Sequence, residues 1–318
     1  MFDVYKTKRD NSVNLYVIPS ISSAATFTCP PNIDIVLPYG VCDTLLADIG
    51  DPVYAPTPAL DGIAYTITDN APASKRYPVG NHIVTWTVTD ACGLSLSCDQ
   101  QVNIAYPPCG TTSDSVSDYD GFRYPTVRIG CQCWMAENLR STHYFNGTTV
   151  ANYHVFNDSD SLEAIYGKLY SWYTAARVPE GDNDAHPASA TRAPATYVQG
   201  ICPDGWALPT LEEFASLLSD SEGDRNKLKE ASALYWHSGF EGSLPNSGFN
   251  ARGAGDHNAI NTHYQYENLM SAAKFWTAEY VPSSTQATSV VIPCACGNLE
   301  PENSDKRMGY SVRCIKKK

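Results

Sequence analysis

Eleven cysteines, spread over all 318 residues, constrain the fold of this chain more than any other feature. Reducing compartments keep thiols free, and a cytosolic protein rarely carries so many cysteines without a metal. We therefore expect several disulfides and a location outside the cell. Because eleven is an odd number, at least one cysteine stays unpaired or bonds to another chain.

The charge balance argues against a nucleic acid as partner. The chain has 22 Lys and Arg against 34 Asp and Glu, a net charge of −12, and phosphate binding needs clustered cations. Its one basic run is residues 316–318. No stretch of about 18 apolar residues occurs, so we expect no membrane span, and residues 11–25 lack the apolar core of a signal peptide because Asn14 and Pro19 interrupt them.

The first part of the chain predicts an arm and a β-sandwich. Residues 1–28 contain one strand-like run, 13–18, and are too short and polar to fold alone, so we expect this arm to contact neighbouring subunits. Residues 29–106 show short β segments between turns, with clear alternation at 83–89. This pattern indicates an all-β sandwich with Trp86 in its core.

Several motifs of this sandwich point to a known module. They are Cys29-Pro30, Tyr77-Pro78-Val79-Gly80, Val84-Thr85-Trp86-Thr87-Val88-Thr89-Asp90, Gly93 and Cys98. Together they resemble the hyalin repeat (HYR) family, an immunoglobulin-like adhesion module. The resemblance implies an Ig-like fold and a spacer role without catalytic residues.

A linker and a larger domain follow. Residues 107–117 have the composition of a linker, and the domain at 118–318 carries a dense set of motifs. They are Asp118-Tyr119-Asp120-Gly121, Tyr124-Pro125-Thr126-Val127-Arg128-Ile129-Gly130, Cys133-Trp134-Met135-Ala136-Glu137-Asn138-Leu139-Arg140, Tyr166-Gly167-Lys168-Leu169-Tyr170-Ser171-Trp172-Tyr173, Cys202-Pro203-Asp204-Gly205-Trp206-Ala207-Leu208-Pro209-Thr210 and Tyr310-Ser311-Val312-Arg313-Cys314. The set resembles the Fibrobacter succinogenes major paralogous domain. The resemblance implies an α+β, C-type-lectin-like fold used in bacterial surface proteins and, through related scaffolds, in phage receptor-binding proteins.

One helix of this domain is predicted from the residues themselves. Thr210 is a candidate N-cap and Glu213 stands at the capping-box position. The apolar residues Leu211, Phe214, Leu217 and Leu218 then share one helical face. We expect Phe275 and Trp276, which the resemblance places on a central strand, to belong to the core.

The cysteines divide by position. In the sandwich we expect the disulfides Cys29–Cys98 and Cys42–Cys92, and the lectin-like resemblance implies Cys202–Cys314. The two C-x-C pairs, Cys131 with Cys133 and Cys294 with Cys296, are expected to bond to each other. Three alternatives stay open for these four cysteines: a zinc site of four thiolates, unpaired thiols, or a catalytic pair like that of formylglycine-generating enzymes. Cys109 is then the cysteine left without a partner in the chain.

Residues 246–280 are the predicted binding surface, because they are long, poor in apolar periodicity and rich in Gly, Asn, His and Tyr, as paratopes are. The candidate ligand-binding residues are Asn250, Arg252, Asp256, His257, Tyr264, Tyr266 and Tyr280. The alternative is an irregular loop that only covers the core. His143, His154 and His186 are interpreted as ordinary loop or surface residues.

These patterns favour a non-enzymatic adhesion or ligand-binding protein on a bacterial or virion surface, with a glycan or a host surface protein as its partner. The alternative is a structural component of a virion fibre or extracellular filament, assembled through the arm and the sandwich. No phosphate loop, Ser-His-Asp order or His-x-x-x-His helix occurs. The acidic clusters at 118–121, 157–160 and 182–184 could offer oxygens to calcium but are typical of turns, so no cofactor is indicated.

Overall fold

The computed structural model describes residues 3–9, 12–18, 25–56, 64–91, 93–110, 114–182, 197–239, 242–260, 265–295 and 299–317, with backbone alone for the first two ranges. The chain divides into two compact units, Met1–Pro107 and Pro108–Lys318. Both units are rich in β-strands, in agreement with the predicted multi-domain, β-rich organisation. Among the described residues, no helix is long and apolar enough to cross a membrane.

The first unit is built from short strands and one long hairpin. Its strands are β1 (Asp3–Arg9), β2 (Ser12–Ile18), β3 (Thr26–Thr28), β4 (Ile33–Val36), β5 (Asp43–Leu45), β6 (Val53–Ala55), β7 (Tyr65–Asp69), β8 (Arg76–Pro78), β9 (Gly80–Asp90) and β10 (Ser95–Ala105). A four-stranded sheet has the order β4-β10-β9-β7, and the pairs β1-β2, β3-β6 and β5-β8 form two-stranded sheets. Strand β4 runs parallel to β10, and β9 is antiparallel to β10.

The alternation predicted at 83–89 is confirmed in β9. Val84, Trp86 and Val88 are buried, whereas Ile83 is 62% exposed. The indole of Trp86 donates a hydrogen bond to Gln100 Oε1 at 3.1 Å, so its one polar atom is satisfied in the core. Trp86 is therefore a core residue, as predicted.

The second unit combines two larger sheets with short helices. Its strands are β11 (Ser115–Ser117), β12 (Arg123–Ile129), β13 (Gln132–Met135), β14 (Tyr153–His154), β15 (Leu169–Tyr170), β16 (Trp206–Ala207), β17 (Ala254–His257), β18 (Tyr266–Leu269), β19 (Ala272–Tyr280), β20 (Gln286–Pro293), β21 (Glu300–Asp305) and β22 (Ile315–Lys316). Its helices are α1 (Asp160–Tyr166), α2 (Trp172–Ala176), α3 (Leu211–Asp220) and short 3-10 helices at Phe156–Asp158 and Arg225–Leu228. The sheets have the orders β11-β12-β13-β22-β16 and β18-β17-β19-β20-β21, and β14 pairs with β15.

Aromatic side chains fill the core of the second unit. Trp134, Trp172, Trp206, Trp236 and Trp276 are all inaccessible to solvent. Phe275 and Trp276 lie next to each other on β19 and contribute to two different clusters of the core. Their predicted place in the core is confirmed.

Helix α3 begins where the sequence predicts. Thr210 Oγ1 accepts from the Glu213 amide at 3.2 Å, and Glu213 Oε2 accepts from the Thr210 amide at 2.9 Å. These reciprocal bonds are the predicted capping box. Phe214 and Leu217 are buried, and Leu211 and Leu218 pack against the same cluster.

The disulfides confirm part of the predicted framework. Cys29 bonds to Cys98, and Cys202 bonds to Cys314, as expected. Cys42 is disulfide-bonded, while its predicted partner Cys92 lies outside the described residues.

The prediction for the two C-x-C pairs is wrong for Cys133 and Cys294 and stays a prediction for Cys131 and Cys296. Cys133 bonds to Cys109, and Cys294 is a buried free thiol, so neither joins the other pair by a disulfide or completes a four-thiolate zinc site. Cys131 is disulfide-bonded, and Cys296 lies outside the described residues. The physical reason lies in the supposed linker: Cys109 is buried, and β11 at Ser115–Ser117 pairs with β12, so this segment is part of the second unit.

Candidate functional site

A hairpin of the second unit presents a histidine beside another short strand. Strand β17 lies between β18 and β19, and all four of its residues are buried. Gly255 has φ +67°, and a side chain there would clash with the carbonyl of Glu267, so only glycine allows this tight pairing. The His257 amide donates to the Gly309 carbonyl at 2.9 Å, and the Gly309 amide donates to the His257 carbonyl at 2.8 Å. This reciprocal pair of hydrogen bonds fixes the end of β17 to Gly309.

The ring of His257 stacks on the ring of His154 from β14. The ring centroids are 3.5 Å apart and the planes differ by 11°. The ring of Tyr266 meets His257 edge-on at 5.1 Å, and its hydroxyl donates to Asp158 at 2.7 Å. Phe156 packs against Tyr266 at 5.2 Å. His154, Phe156, His257 and Tyr266 thus form an aromatic wall that joins β14, the 3-10 helix at Phe156–Asp158, β17 and β18.

Both imidazoles of this wall favour the neutral form. Burial, followed by the neighbouring His154, lowers the pKa of His257 to about 4. Burial also lowers the pKa of His154. His257 is only 7% exposed, and its Nδ1 has no hydrogen-bond partner in the described part of the chain. A buried polar atom without a partner costs about 1–3 kcal/mol.

A polar cavity of about 330 Å³ opens next to this wall. Its lining residues are Asn152, His154, Ser171, Glu180, His257, Asn258, Ala259, Gln265 and Arg307. Glu180 accepts a hydrogen bond from Asn152 at 2.5 Å. Arg307 donates to both carboxylate oxygens of Asp305 at 2.8 Å, which lowers the pKa of that carboxyl. The lining therefore offers a carboxylate, amides, imidazoles and a guanidinium whose charge is neutralised by Asp305.

A comparison with protein-family models matches residues 127–316 to the Fibrobacter succinogenes major domain. This match covers more than half of the chain. The protein belongs to this family. All residues that line the cavity lie within the matched Fibrobacter succinogenes major domain. No curated protein and no solved structure matches the chain.

Two of the predicted ligand-binding residues of the family domain lie in or beside the cavity. His257 lines it, and the ring of Tyr266 contacts His257 edge-on. Tyr280 packs on Trp172 with ring centroids 5.2 Å apart and does not line the cavity. Tyr264 lies outside the described residues. The ligand contacts of all these residues stay predictions.

Three other predicted ligand-binding residues are engaged inside the family domain. Asp256 forms an ion pair with Lys274 at 2.5 Å. Arg252 Nε lies 2.5 Å from a carboxylate oxygen of Glu230. Asn250 adopts φ +53°, and its Oδ1 accepts from an asparagine amide at 2.9 Å. These contacts give each residue a structural explanation apart from any ligand.

Sequence reasoning missed most of the cavity. His154, interpreted as an ordinary loop or surface residue, is half-buried in the stack. Asn152, Ser171, Glu180 and Arg307 come from separate segments that only the fold brings together. Asn258 and Gln265 lie within the predicted segment 246–280. Their closeness to His257 along the sequence was the one signal that could have identified them as cavity residues.

The acidic cluster at 118–121 of the second unit forms internal hydrogen bonds. Asp120 accepts from the amide of Thr142 at 2.5 Å and from its hydroxyl. Hydrogen bonds from Thr142, His143 and Ser141 outweigh burial and hold the pKa of Asp120 at about 2. The described residues contain no group of three or more His, Cys, Asp or Glu that could hold a metal ion. Asp120 therefore acts as the organiser of a turn.

Proposed function

We propose that this protein is a non-enzymatic ligand-binding protein of a cell surface, and that its Fibrobacter succinogenes major domain binds a neutral glycan in the polar cavity. In this proposal the domain has a lectin-like fold, and the first unit is an Ig-like, hyalin-type spacer. The disulfides and the family fit an extracellular protein, since disulfides persist in oxidising surroundings.

The observation that carries the proposal is the unpartnered, buried His257 in the wall of the cavity. Native proteins satisfy nearly all buried polar atoms, and an exception needs an explanation. Folding alone would favour an apolar ring at this position. A ligand that uses the other edge of the neutral imidazole gives a reason to keep the histidine.

The chemistry of the lining favours hydroxyl groups. Amides of Asn152, Asn258 and Gln265 both donate and accept, and Glu180 accepts. A hydroxyl group also does both, so a polyhydroxylated ligand matches this mixture. The volume of about 330 Å³ is at the lower end of the range for small-molecule sites, about 300–1,000 Å³. A terminal sugar residue of a glycan fits these requirements.

The local contacts support a binding role over a catalytic one. Ser171 is the hydroxyl residue of the lining, and it caps α2: its Oγ accepts from the Thr174 amide at 3.2 Å and donates to the Thr174 hydroxyl at 3.0 Å. A serine nucleophile would instead hydrogen-bond to a base. The low pKa of His257 also makes it a weak base at neutral pH.

The test is a glycan array probed with the full chain and two variants. His257→Ala should weaken the binding of neutral glycans at least tenfold, about 1.4 kcal/mol, because it removes the cavity wall. The matched control is His237→Ala, which changes an exposed histidine that bonds to Ser271, and it should bind like the wild type. Absence of glycan binding, or full binding by His257→Ala, would overturn the proposal.

A second function, subunit of a fibre or filament, has one observation in its favour. Strands β1 and β2 pair over seven residues, from Asp3↔Ile18 to Arg9↔Ser12, and join no other sheet among the described strands. A two-stranded hairpin is marginally stable alone, so a neighbouring subunit is a fitting support. Deletion of residues 1–28 should then abolish assembly, measured by light scattering, and unchanged assembly would exclude this role.

A further inference from the structure

We infer that the stacked His154 and His257 make the cavity release its ligand in acid. The ligand is held at neutral pH and lost when the rings take up protons. This inference rests on the proposed function, because it describes the regulation of the same site.

The stacking geometry suits two neutral rings. With centroids 3.5 Å apart and planes within 11°, two imidazolium charges would lie at contact distance in a partly buried place. Like charges at such a distance repel strongly. The pair therefore takes up its two protons in separate steps that belong to the pair as a whole.

The nearby carboxylates give a protonated ring little stabilisation. None of the described carboxylates hydrogen-bonds to either imidazole, and the nearby charged groups other than Glu267 already have other partners. On the elements around His257 these groups are Asp158, bonded to Tyr266; Asp256, paired with Lys274; Glu180, bonded to Asn152; Asp305, paired with Arg307; Lys168, paired with Glu163; and Glu267, opposite Asp256 on β18.

The titration behaviour agrees with this geometry. Burial is the largest cause of the lowered pKa of both His257 and His154. The attraction of Asp158 for both rings, and of Asp256 for His257, offsets it only in part. Both rings are thus neutral at neutral pH and gain protons in the acidic range.

Separation of the rings would change the shape of the cavity. His154 belongs to β14 and His257 to β17, and both line the cavity. His257 is buried whereas His154 is half-buried, so the more exposed His154 is the ring that moves. A ligand that fits the stacked wall binds the neutral state better than the protonated one, and acid therefore lowers its affinity.

The first experiment follows the ring signals of the full, ligand-free chain by NMR as pH is lowered. His154 and His257 should titrate in two steps, both below the ordinary value for a histidine of about 6.5. The backbone amides of Ser171 and Asn258 should shift with the pair. In His154→Gln, which removes the neighbouring ring whose charge lowers the pKa of His257, the pKa of His257 should rise. The inference would be overturned if both rings titrated at the ordinary value, or if the amide shifts of Ser171 and Asn258 did not change as the rings titrate.

The second experiment measures binding of a neutral glycan from the array at about pH 7.5 and about pH 4.5. The wild type should bind at least tenfold more weakly in acid, while circular dichroism shows the same fold at both values. His154→Gln should lose most of this dependence, and His237→Gln should keep it. Absence of binding at both values would overturn the proposed function; equal binding at both would overturn the inference alone.

Discussion

The side-chain oxygen of Asn138 holds the guanidinium of Arg313, whose Nη2 and Nε lie 2.6 and 3.1 Å from it. Arg313 is 1% exposed and also donates to the carbonyls of Met135 and Phe249. No ion pair of the described residues includes this arginine, so neutral oxygens satisfy a buried cation. Burial lowers the pKa of Arg313. The contact joins two distant parts of the family domain.

The first prediction concerns this buried arginine. Arg313→Lys should lower the free energy of unfolding by about 2–4 kcal/mol, because lysine cannot reproduce the planar fork of donors and leaves carbonyls unpaired. Chemical denaturation of the full chain measures the change. Arg307→Lys, at a side chain that is half exposed, should change it by less than about 1 kcal/mol. Equal effects of the two substitutions would contradict the structural role of Arg313.

The second prediction concerns the disulfide map. A peptide map of unreduced protein should contain the cross-links Cys29–Cys98, Cys109–Cys133 and Cys202–Cys314. Cys294, at 7% exposure, should react with an alkylating reagent only after unfolding. A cross-link between Cys133 and Cys294 would contradict the structure and restore the pairing predicted from the sequence.

The third prediction concerns the pH dependence of stability. The pKa of His257 is about 4 in the folded chain against 6.5 for an ordinary histidine, so the unfolded chain binds more protons between these values. Stability is therefore greatest above about pH 6.5 and falls as pH drops towards 4, by at most about 3 kcal/mol, and by less because the ring borders an open cavity. Denaturation of the wild type and His257→Phe over this range measures the effect. The variant should show a weaker dependence, and identical curves would contradict the assignment.

The fourth prediction concerns the start of α3. Thr210→Ala removes the acceptor of the Glu213 amide and should lower the free energy of unfolding by about 1 kcal/mol. Ser219→Ala, on the exposed side of the last turn, serves as the control and should change it by less than about 0.5 kcal/mol. A thermal melt that does not distinguish the variants would show that the capping box adds little.

Local signals in the sequence predicted local structure well. Thr210 and Glu213 identified the start of α3, and alternation identified the buried face of β9, because both depend on residues a few positions apart. Cys29 and Cys98 paired as expected because they belong to one small module.

The cavity could not be predicted in this way. Its lining residues are spread along the sequence from Asn152 to Arg307. They come together only through the packing of β14, β17 and the end of β21. The partner of Cys133 was missed for a similar reason. The Pro-rich stretch before Cys109 looked like a linker, whereas packing and pairing of the following strand make it part of the domain.

The most direct test of the central claim is a chemical-shift map of the full chain with a neutral glycan taken from the array. We expect the amide shifts to concentrate at the cavity, and His257→Ala to abolish them; the expected amides are those of Asn152, His154, His257, Asn258 and Arg307. Shifts confined to the first unit, or to the exposed Tyr119 and Phe145 of the second, would contradict the polar cavity as the binding site.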